Sequence, residues 1–244
     1  MYMEGLSQNE LLLFNVPGHF HFICDRIEEE DIFFGVTEAK HMSGVLRYNV
    51  GDEISFTDGK GILGTARLLS LNKKEAQARV IEQKLSKRSN HLTLCIGILR
   101  QNDRMEWLVE KCTEFGVEHI IFMQCANSQK GKVNMMRMNK KAFAAVKQSH
   151  GSFLPKLEVL SFKEAAQLKG KKYIAFCKEE TKKRDLSDLE HRAIVFIGPE
   201  GDFSPAEIAA ASAKNFQAVS LGKQRLRTET AAIIATHTVA LKAQ

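Results

Sequence analysis

Two segments near the end of the sequence combine glycine with charged and small polar residues, a mixture that can hold a small ligand. The first, residues 198–204, follows the apolar run that ends at Ile197, and the second spans residues 221–231. Glycine lets the backbone approach a ligand closely, and ligands of open α/β sheets bind beyond the carboxyl ends of the strands. Both segments are therefore candidate ligand loops, although a plain turn followed by a helix N-cap would explain the first one alone.

Common nucleotide-binding and hydrolase motifs are absent from the sequence. The first apolar run after residue 90 contains only Gly97 and so lacks GxGxxG, and no GxxxxGK[ST] segment occurs. These absences argue against an NAD-dependent enzyme and a P-loop ATPase. There is also no GxSxG turn and no HExxH or HxxxH pair. The five cysteines form no CxxC pair, so we expect reduced core cysteines and no metal site.

The positive charge of the chain is concentrated in its second half. The formal net charge is +6, and residues 119–157 contain no acidic residue but seven Lys and Arg. A polyanion would suit this stretch, because each phosphate contact releases a condensed counterion. A solvated, lysine-rich helix face explains the same composition, and composition does not separate RNA from DNA. In the first half, His41 and Arg47 are spaced so that one helical turn and the following bend could present both to a nucleic acid backbone.

The apolar pattern predicts two kinds of structure. Residues 20–83 alternate with a period near two between glycine-containing turns, which predicts a small barrel or sandwich, interrupted by a short helix at 38–46. Residues 84–90 are polar and basic and are predicted to be a linker. Beyond them, five or six apolar strands alternate with helices, which predicts an α/β parallel sheet with helices on both faces.

Three helix starts are predicted from a capping residue followed three positions later by Glu. They are Asp103, Ser161 and Ser204, the last with Pro205 at the first helical position. A basic helix is predicted over residues 139–148, and the last helix over residues 229–241. These helices would place the loops that precede them at one edge of the sheet.

Neither end of the sequence predicts a membrane protein. The apolar stretch at residues 230–241 is shorter than the ~20 residues that a membrane span needs. Residues 1–17 contain Glu4 and Glu10 and lack the basic start of a signal peptide. We therefore expect a cytoplasmic protein without a membrane segment.

The motifs of the two loops, with others in the same order, resemble the family of 16S ribosomal RNA uracil-N3 methyltransferases. These are S-adenosylmethionine-dependent enzymes of the SPOUT superfamily with a PUA-like barrel in front. The resemblance runs from about residue 18 to the end, and Asp202 stands where the family commonly has glycine. The matching segments are residues 41–47, 51–52, 58–59, 105–106, 111–114, 116–117, 197–201, 203–204, 207, 221–222 and 226–231.

The resemblance implies a fold and a domain organisation. It implies an N-terminal extension over residues 1–17, a small PUA-like β-barrel over 18–84 that binds RNA, and a parallel-sheet α/β SPOUT domain over 90–244 with a deep trefoil knot. It also implies a homodimer that acts on small-subunit ribosomal RNA or on the 30S particle. The reaction would be S-adenosylmethionine-dependent methylation of uridine N3. The alternatives are a ribose 2′-O-methyltransferase of the same superfamily and a non-catalytic RNA-binding assembly factor.

The resemblance also assigns candidate site residues. Those expected to hold S-adenosylmethionine are Gly198, Pro199, Glu200, Gly201, Leu221, Gly222, Leu226 and Thr230. Those expected to be catalytic are Arg225, Arg227 and Glu229. One of these arginines would stabilise the uracil anion, and the glutamate would orient that arginine or act at the helix N-terminus. Together with the basic stretch, the expected RNA-binding residues are His41, Arg47, Lys130, Lys132, Arg137 and Lys147.

Overall fold

The computed structural model describes residues 20–128, 132–177, 183–190 and 192–242. The predicted extension at 1–17 and Lys130 lie outside these residues. The chain divides into two units: the described residues up to Lys87 together with His150–Phe153, and the remainder from Arg88 onward. Each unit has its own sheet and its own core.

The first unit is built on a six-stranded sheet with the order β1-β4-β5-β6-β3-β2. Its edge strands, β1 and β2, are consecutive in the chain and separated only by Cys24 and Asp25, so the sheet must curve until its two edges approach each other. The strands are β1 His21–Ile23, β2 Arg26–Glu28, β3 Asp31–Phe34, β4 Glu53–Thr57, β5 Ile62–Leu71 and β6 Ala76–Leu85. The alternating apolar side chains, among them Phe22 and Phe56, fill the interior of this curved sheet.

One helix interrupts the strands of the first unit, where the sequence predicts it. It begins as α1, Val36–Lys40, and continues as a π-helical segment, His41–Leu46. The helix ends at Arg47, which has a left-handed backbone with φ 58°. The side chain of Met42 is fully buried in the core of this unit.

The second unit contains seven parallel strands in the order β11-β13-β10-β12-β7-β8-β9. This confirms the predicted parallel sheet. The strand missed by the sequence analysis is β11, whose two residues pair at the edge of the sheet and carry no apolar run. The strands are β7 Thr93–Gly97, β8 His119–Gln124, β9 Lys156–Ser161, β10 Lys171–Ala175, β11 Arg184–Asp185, β12 Ala193–Ile197 and β13 Gln217–Ser220.

Helices cover both faces of this sheet, as the uninterrupted apolar strands predict. One core joins α2, α3 and α6 to one face of the sheet, and a second core joins α4 and α5 to the other. Val195 faces the first core and its neighbour Phe196 the second, because successive side chains of a strand point to opposite faces. The helices are α2 Asn102–Glu114, α3 Met135–Gln148, α4 Phe162–Ala165, α5 Pro205–Ala213 and α6 Thr228–Lys242.

Two of the three predicted capping boxes form. Ser161 and Ser204 each accept a hydrogen bond from the backbone N–H of the glutamate three residues later, and the carboxylate of that glutamate accepts one from the serine backbone N–H. The prediction at Asp103 is wrong, since the N-cap of α2 is Gln101, two residues earlier, and it makes no side-chain cap. The glutamate expected to close that box, Glu106, is buried and instead pairs with Arg137 of α3.

Candidate cofactor and active site

A cavity of about 690 Å³ lies at the carboxyl ends of three neighbouring strands of the second unit. Its walls come mainly from residues 175–177 after β10, residues 197–200 after β12 and residues 219–229 from the end of β13 to the start of α6. This volume falls within the range of roughly 300–1,000 Å³ that is typical of small-molecule sites. The cavity therefore occupies the position predicted for a ligand in an open parallel sheet.

The first loop lies close against β7 because Gly97 has no side chain. A Cβ atom at Gly97 would stand 2.3 Å from the backbone nitrogen of Pro199 and 2.5 Å from its Cδ. No side chain fits at such distances, so the turn through Gly198 and Pro199 passes directly over the strand end. The only glycine of this strand is thus needed for loop packing, and it is not part of a phosphate-binding motif.

The second loop turns at Gly222 and then enters α6. Gly222 has φ +126°, a conformation that side-chain-bearing residues rarely adopt. Beyond it, Leu226 packs on the core, whereas Arg225 and Arg227 are exposed. The buried hydroxyl of Thr228 donates a hydrogen bond of 3.0 Å to the carbonyl of Gly198, so the two loops are joined directly.

The cavity wall carries both signs of charge. Its charged residues, among those that the structure describes, are Glu200, Asp202, Glu229, Arg104, Lys183, Lys223, Arg225 and Arg227. Glu229, in the first turn of α6, is the buried member of this set, with a side-chain exposure of 7%. Its Oε1 lies 3.7 Å from Nε of Arg104 on α2, and its Oε2 has no hydrogen-bond partner among the described residues.

Asp202 explains how this chain tolerates a departure from the family pattern. Its backbone has φ 58°, the left-handed conformation in which glycine is favoured and Asp is tolerated. The carboxylate accepts hydrogen bonds from the backbone N–H groups of Cys177, at 2.9 Å, and Phe203, at 2.8 Å. The aspartate therefore ties the loop after β10 to the loop after β12.

A third loop, after β8, braces the first loop from outside the cavity. The side-chain amide of Asn127 donates to the carbonyls of Gly201 and Asp202, both at 3.1 Å. The carboxylate of Glu207, which caps α5, also accepts a hydrogen bond from the backbone N–H of Ala126 at 2.9 Å. These bonds connect the cavity loop to the segment that leads into the basic helix α3.

The structure brings most of the predicted cofactor and catalytic residues together. Gly198, Pro199, Glu200, Leu221, Gly222 and Leu226 line the cavity, as do Arg225, Arg227 and Glu229. Gly201 and Thr230 are not among the lining residues. Gly201 faces the β8 loop, where its carbonyl accepts the bond from Asn127. The roles of all these residues stay predictions.

The predicted RNA-binding residues fall in both units. His41 and Arg47 belong to the helix of the first unit, where the imidazole ring lies 6.0 Å from the ring of Phe22. In the second unit, Arg137 and Lys147 belong to α3, and Lys132 precedes it. Arg137 is 60% exposed even though its guanidinium pairs with Glu106.

Arg104 and Lys183 are cavity residues that the sequence analysis missed. Arg104 lies in the first turn of α2, the helix that follows β7, so the rule that ligands lie beyond strand ends could have singled it out. Lys183 precedes the two-residue strand β11, and its Nζ donates to the carbonyl of Phe176 at 2.7 Å. Nothing in the pattern of apolar residues marks that strand, so no sequence signal placed this lysine.

Fold and cavity together define an α/β protein with a ligand-sized cavity at the carboxyl ends of parallel strands. The family described as RNA methyltransferase domain matches residues 86–240, and the family described as RNA methyltransferase PUA domain matches residues 35–81. Ribosomal RNA small subunit methyltransferase E from Rickettsia conorii is 30% identical over 209 residues, which cover 82% of this chain and 85% of the relative.

Solved structures agree with this match. The crystal structure of a probable rRNA-methyltransferase from Porphyromonas gingivalis has a TM-score of 0.83 and 31% identity, covering 92% of this chain and 100% of the other. Ribosomal RNA small subunit methyltransferase E from Neisseria gonorrhoeae, bound to S-adenosyl methionine, has a TM-score of 0.77 and 27% identity, covering 89% and 95%. The chain belongs to this family of RNA methyltransferases, which confirms the resemblance seen in its motifs.

Within the described residues, no group of three or more His, Cys, Asp or Glu is placed to hold a metal ion. None of the helices that the structure describes is long and apolar enough to cross a membrane.

Proposed function

We propose that this protein methylates N3 of a specific uridine in 16S ribosomal RNA, with S-adenosylmethionine as the methyl donor. The observation that carries the proposal is the cavity between the loops after β12 and β13, which contains the predicted catalytic residues Arg225, Arg227 and Glu229. The names of the relatives support the substrate, since they are small-subunit ribosomal RNA methyltransferases. The S-adenosyl methionine in the Neisseria structure supports the cofactor.

The cavity suits S-adenosylmethionine in size and in chemistry. Its lining includes Gly198, Pro199, Leu221 and Gly222, whose backbone groups can form hydrogen bonds with an adenosine. Leu226 adds apolar surface. The wall carries acids beside bases, which suits a zwitterionic amino-acid tail. When bound, this cofactor supplies a methyl group on a sulfonium. Transfer of this methyl group needs alignment of the donor with the acceptor and the exclusion of water more than it needs an acid catalyst.

The exposed arginines of the second loop would act on the base. Uracil N3 carries a weakly acidic proton, and a nearby positive charge lowers the pKa of such a group. Arg225 and Arg227 flank Leu226 on the open side of the loop and are the candidates for this contact. Because N3 lies on the pairing edge, the uridine would be splayed out of the RNA before it enters the cavity.

RNA affinity would come from two surfaces. One is the PUA-like unit with His41 and Arg47, and the other is the basic stretch with Lys132, Arg137 and Lys147. Phosphate contacts from these residues would position the RNA without reading its sequence. Lys130 belongs to the same stretch and to the same proposal.

Further features are proposed from the family resemblance. We infer a homodimer, a trefoil knot formed by the cavity loops, and action in the cytoplasm on the 30S particle or its RNA. We also infer the domain bounds of 18–84 and 90–244; the two separate family matches, at residues 35–81 and 86–240, support a division into two domains.

A methyl-transfer assay tests the function. Purified protein is incubated with radiolabelled S-adenosylmethionine and unmodified small ribosomal subunits, and the RNA is digested to nucleosides and separated by chromatography. Label in 3-methyluridine is expected. Label in a ribose-methylated nucleoside, or calorimetric binding of the cofactor without any transfer, would contradict the proposal.

Variants then assign the arginines. Arg227→Ala should reduce transfer while cofactor binding by calorimetry is retained. Arg67→Ala is the matched control, since Arg67 is an exposed arginine of β5 that pairs with Glu53. Loss of cofactor binding in the Arg227 variant would mean that this arginine holds the loop or the cofactor, and not the base.

A further inference from the structure

Glu229 has a buried carboxylate oxygen without a hydrogen-bond partner. The residue is 6% exposed, and Oε2 has no partner among the described residues. A buried polar atom without a partner is costly, and a catalytic or ligand-binding role is one reason why a native structure retains it. Glu229 lines the cavity, so a hydrogen-bond donor bound there lies beside this carboxylate.

The neighbour of Glu229 is suited to orient the carboxylate. Arg104 reaches it from α2, a different helix, and its Nε lies 3.7 Å from Oε1. This ion pair engages one of the two carboxylate oxygens. Because the arginine lies nearest Oε1, Oε2 is the oxygen left as a proton acceptor.

We propose that Glu229 is the base that removes the N3 proton of the target uridine, and that Arg104 is the positioning residue that orients its carboxylate. The inference rests on the proposed function, because only a substrate that loses a ring proton needs such a base. The proton passes from N3 to Oε2, and the nitrogen electron pair forms the bond to the methyl carbon. The bond from that carbon to sulfur breaks, and its electron pair stays on sulfur, which becomes a neutral thioether.

In this proposal, the glutamate and the exposed arginines have different roles. Arg225 and Arg227 would stabilise the negative charge that develops on the ring, whereas Glu229 takes the proton itself. The structure pairs Glu229 with Arg104 and shows no ion pair between Glu229 and either loop arginine over the described residues. Besides Arg104, the charged groups that face the same cavity are Glu200, Asp202, Lys183, Lys223, Arg225 and Arg227.

The competing role for Oε2 is to hold the cofactor, through its ammonium group or a ribose hydroxyl. The two roles differ in what the Glu229→Gln variant loses. A base contributes typically 10²–10⁴-fold to a rate, and its loss leaves cofactor affinity intact. Loss of a cofactor contact would weaken cofactor binding, and it would not change how the rate depends on pH.

The test measures single-turnover methyl transfer to unmodified small subunits at saturating cofactor, from pH 6 to 9, together with calorimetric binding of S-adenosylmethionine. Glu229→Gln is expected to bind the cofactor within about threefold of wild type and to react at least about 100-fold more slowly at pH 7. Its rate should climb about tenfold per pH unit as solvent takes over the proton transfer, whereas the wild-type rate should change much less.

A control variant shows whether any buried carboxylate would give this result. Glu106 has a side-chain exposure of 6%, close to that of Glu229, and it also pairs with an arginine, but it does not line the cavity. Glu106→Gln should therefore keep the wild-type rate and pH profile at saturating RNA. If it loses as much rate as Glu229→Gln, the effect is one of folding, and the proposal is overturned.

Arg104 variants test the positioning role. Arg104→Ala should lower the single-turnover rate at saturating cofactor and RNA, because the carboxylate loses the ion pair that orients it, while cofactor binding stays within about threefold of wild type. Arg104→Lys should restore most of the wild-type rate. An unchanged rate in Arg104→Ala would remove this arginine from the proposal.

Three outcomes overturn the main inference. The first is a wild-type-like rate in Glu229→Gln, and the second is a loss of cofactor affinity in proportion to the rate. If Glu229→Gln does not fold, Glu229→Asp takes its place and should keep the wild-type pH profile at a lower rate; any other profile counts against the inference. The third is transfer of the label by the wild-type enzyme to a ribose-methylated nucleoside. This result contradicts the proposed function itself and the proton transfer with it.

Discussion

Replacing Gly97 by alanine should damage the cofactor site without substituting any residue that lines it. The new Cβ would stand 2.3 Å from the backbone nitrogen of Pro199 and 2.9 Å from the carbonyl carbon of Gly198. Even the tightest tolerated contact, near 3.0 Å, requires the loop to retreat by about 0.7 Å, and an ordinary contact requires about 1.1 Å. Neither atom belongs to a flexible side chain, so the whole turn must move.

The cost follows from this displacement. Overpacking typically destabilises a protein by roughly 1–3 kcal/mol, and for a domain of this size each kcal/mol lowers the melting temperature by about 2–4 °C. The shifted loop would also strain the hydrogen bond from Thr228 to Gly198, which joins the two cavity loops. We expect cofactor affinity to fall at least about tenfold, and methyl transfer by about 100-fold, as for a misplacement of 1 Å.

Calorimetry with S-adenosylmethionine and thermal unfolding measure both effects. Gly44→Ala is the matched control, because a Cβ at Gly44 meets nothing within 4 Å and the backbone there needs no special conformation. This control should bind the cofactor normally and be unchanged or slightly more stable, by up to about 1 kcal/mol. Wild-type cofactor affinity in Gly97→Ala would refute the reasoning that this glycine sets the position of the loop.

Three further outcomes can be checked with standard assays. Thr228→Val should lower the free energy of unfolding in denaturant titrations by about 1–3 kcal/mol, because it leaves the buried carbonyl of Gly198 unpaired; a loss below about 0.3 kcal/mol would contradict this. Burial lowers the pKa of His119, so the unfolded chain binds its proton more readily and stability should fall as the pH drops below 7; His119→Gln should flatten that decline. Asp202→Gly should speed amide hydrogen exchange at Cys177 at least about tenfold, because the N–H loses its acceptor; unchanged exchange would show that another contact holds this loop.

Much of the fold could be predicted because it depends on local sequence. The period-two pattern of residues 20–83 contains β4, and the apolar run that ends at Ile197 is β12, since alternation or continuous burial follows directly from residue type. The capping boxes at Ser161 and Ser204 also form as predicted, because their hydrogen bonds close within a few residues. The edge strand β11 has too few residues for any pattern, and the start of α2 was mistaken because Glu106 bonds to another helix.

For the site, the sequence by itself determined which two loops form the cavity and which residues they offer. Their glycines, arginines and acids are close together in the chain, so the motif carries them as a group. Only the tertiary structure decided that Arg104 meets Glu229, that Asp202 holds the loop after β10, and that Gly201 faces away from the cavity. These contacts join segments far apart in the chain, and the packing of α2 and of the strand ends sets them, whereas periodicity and capping report only on near neighbours.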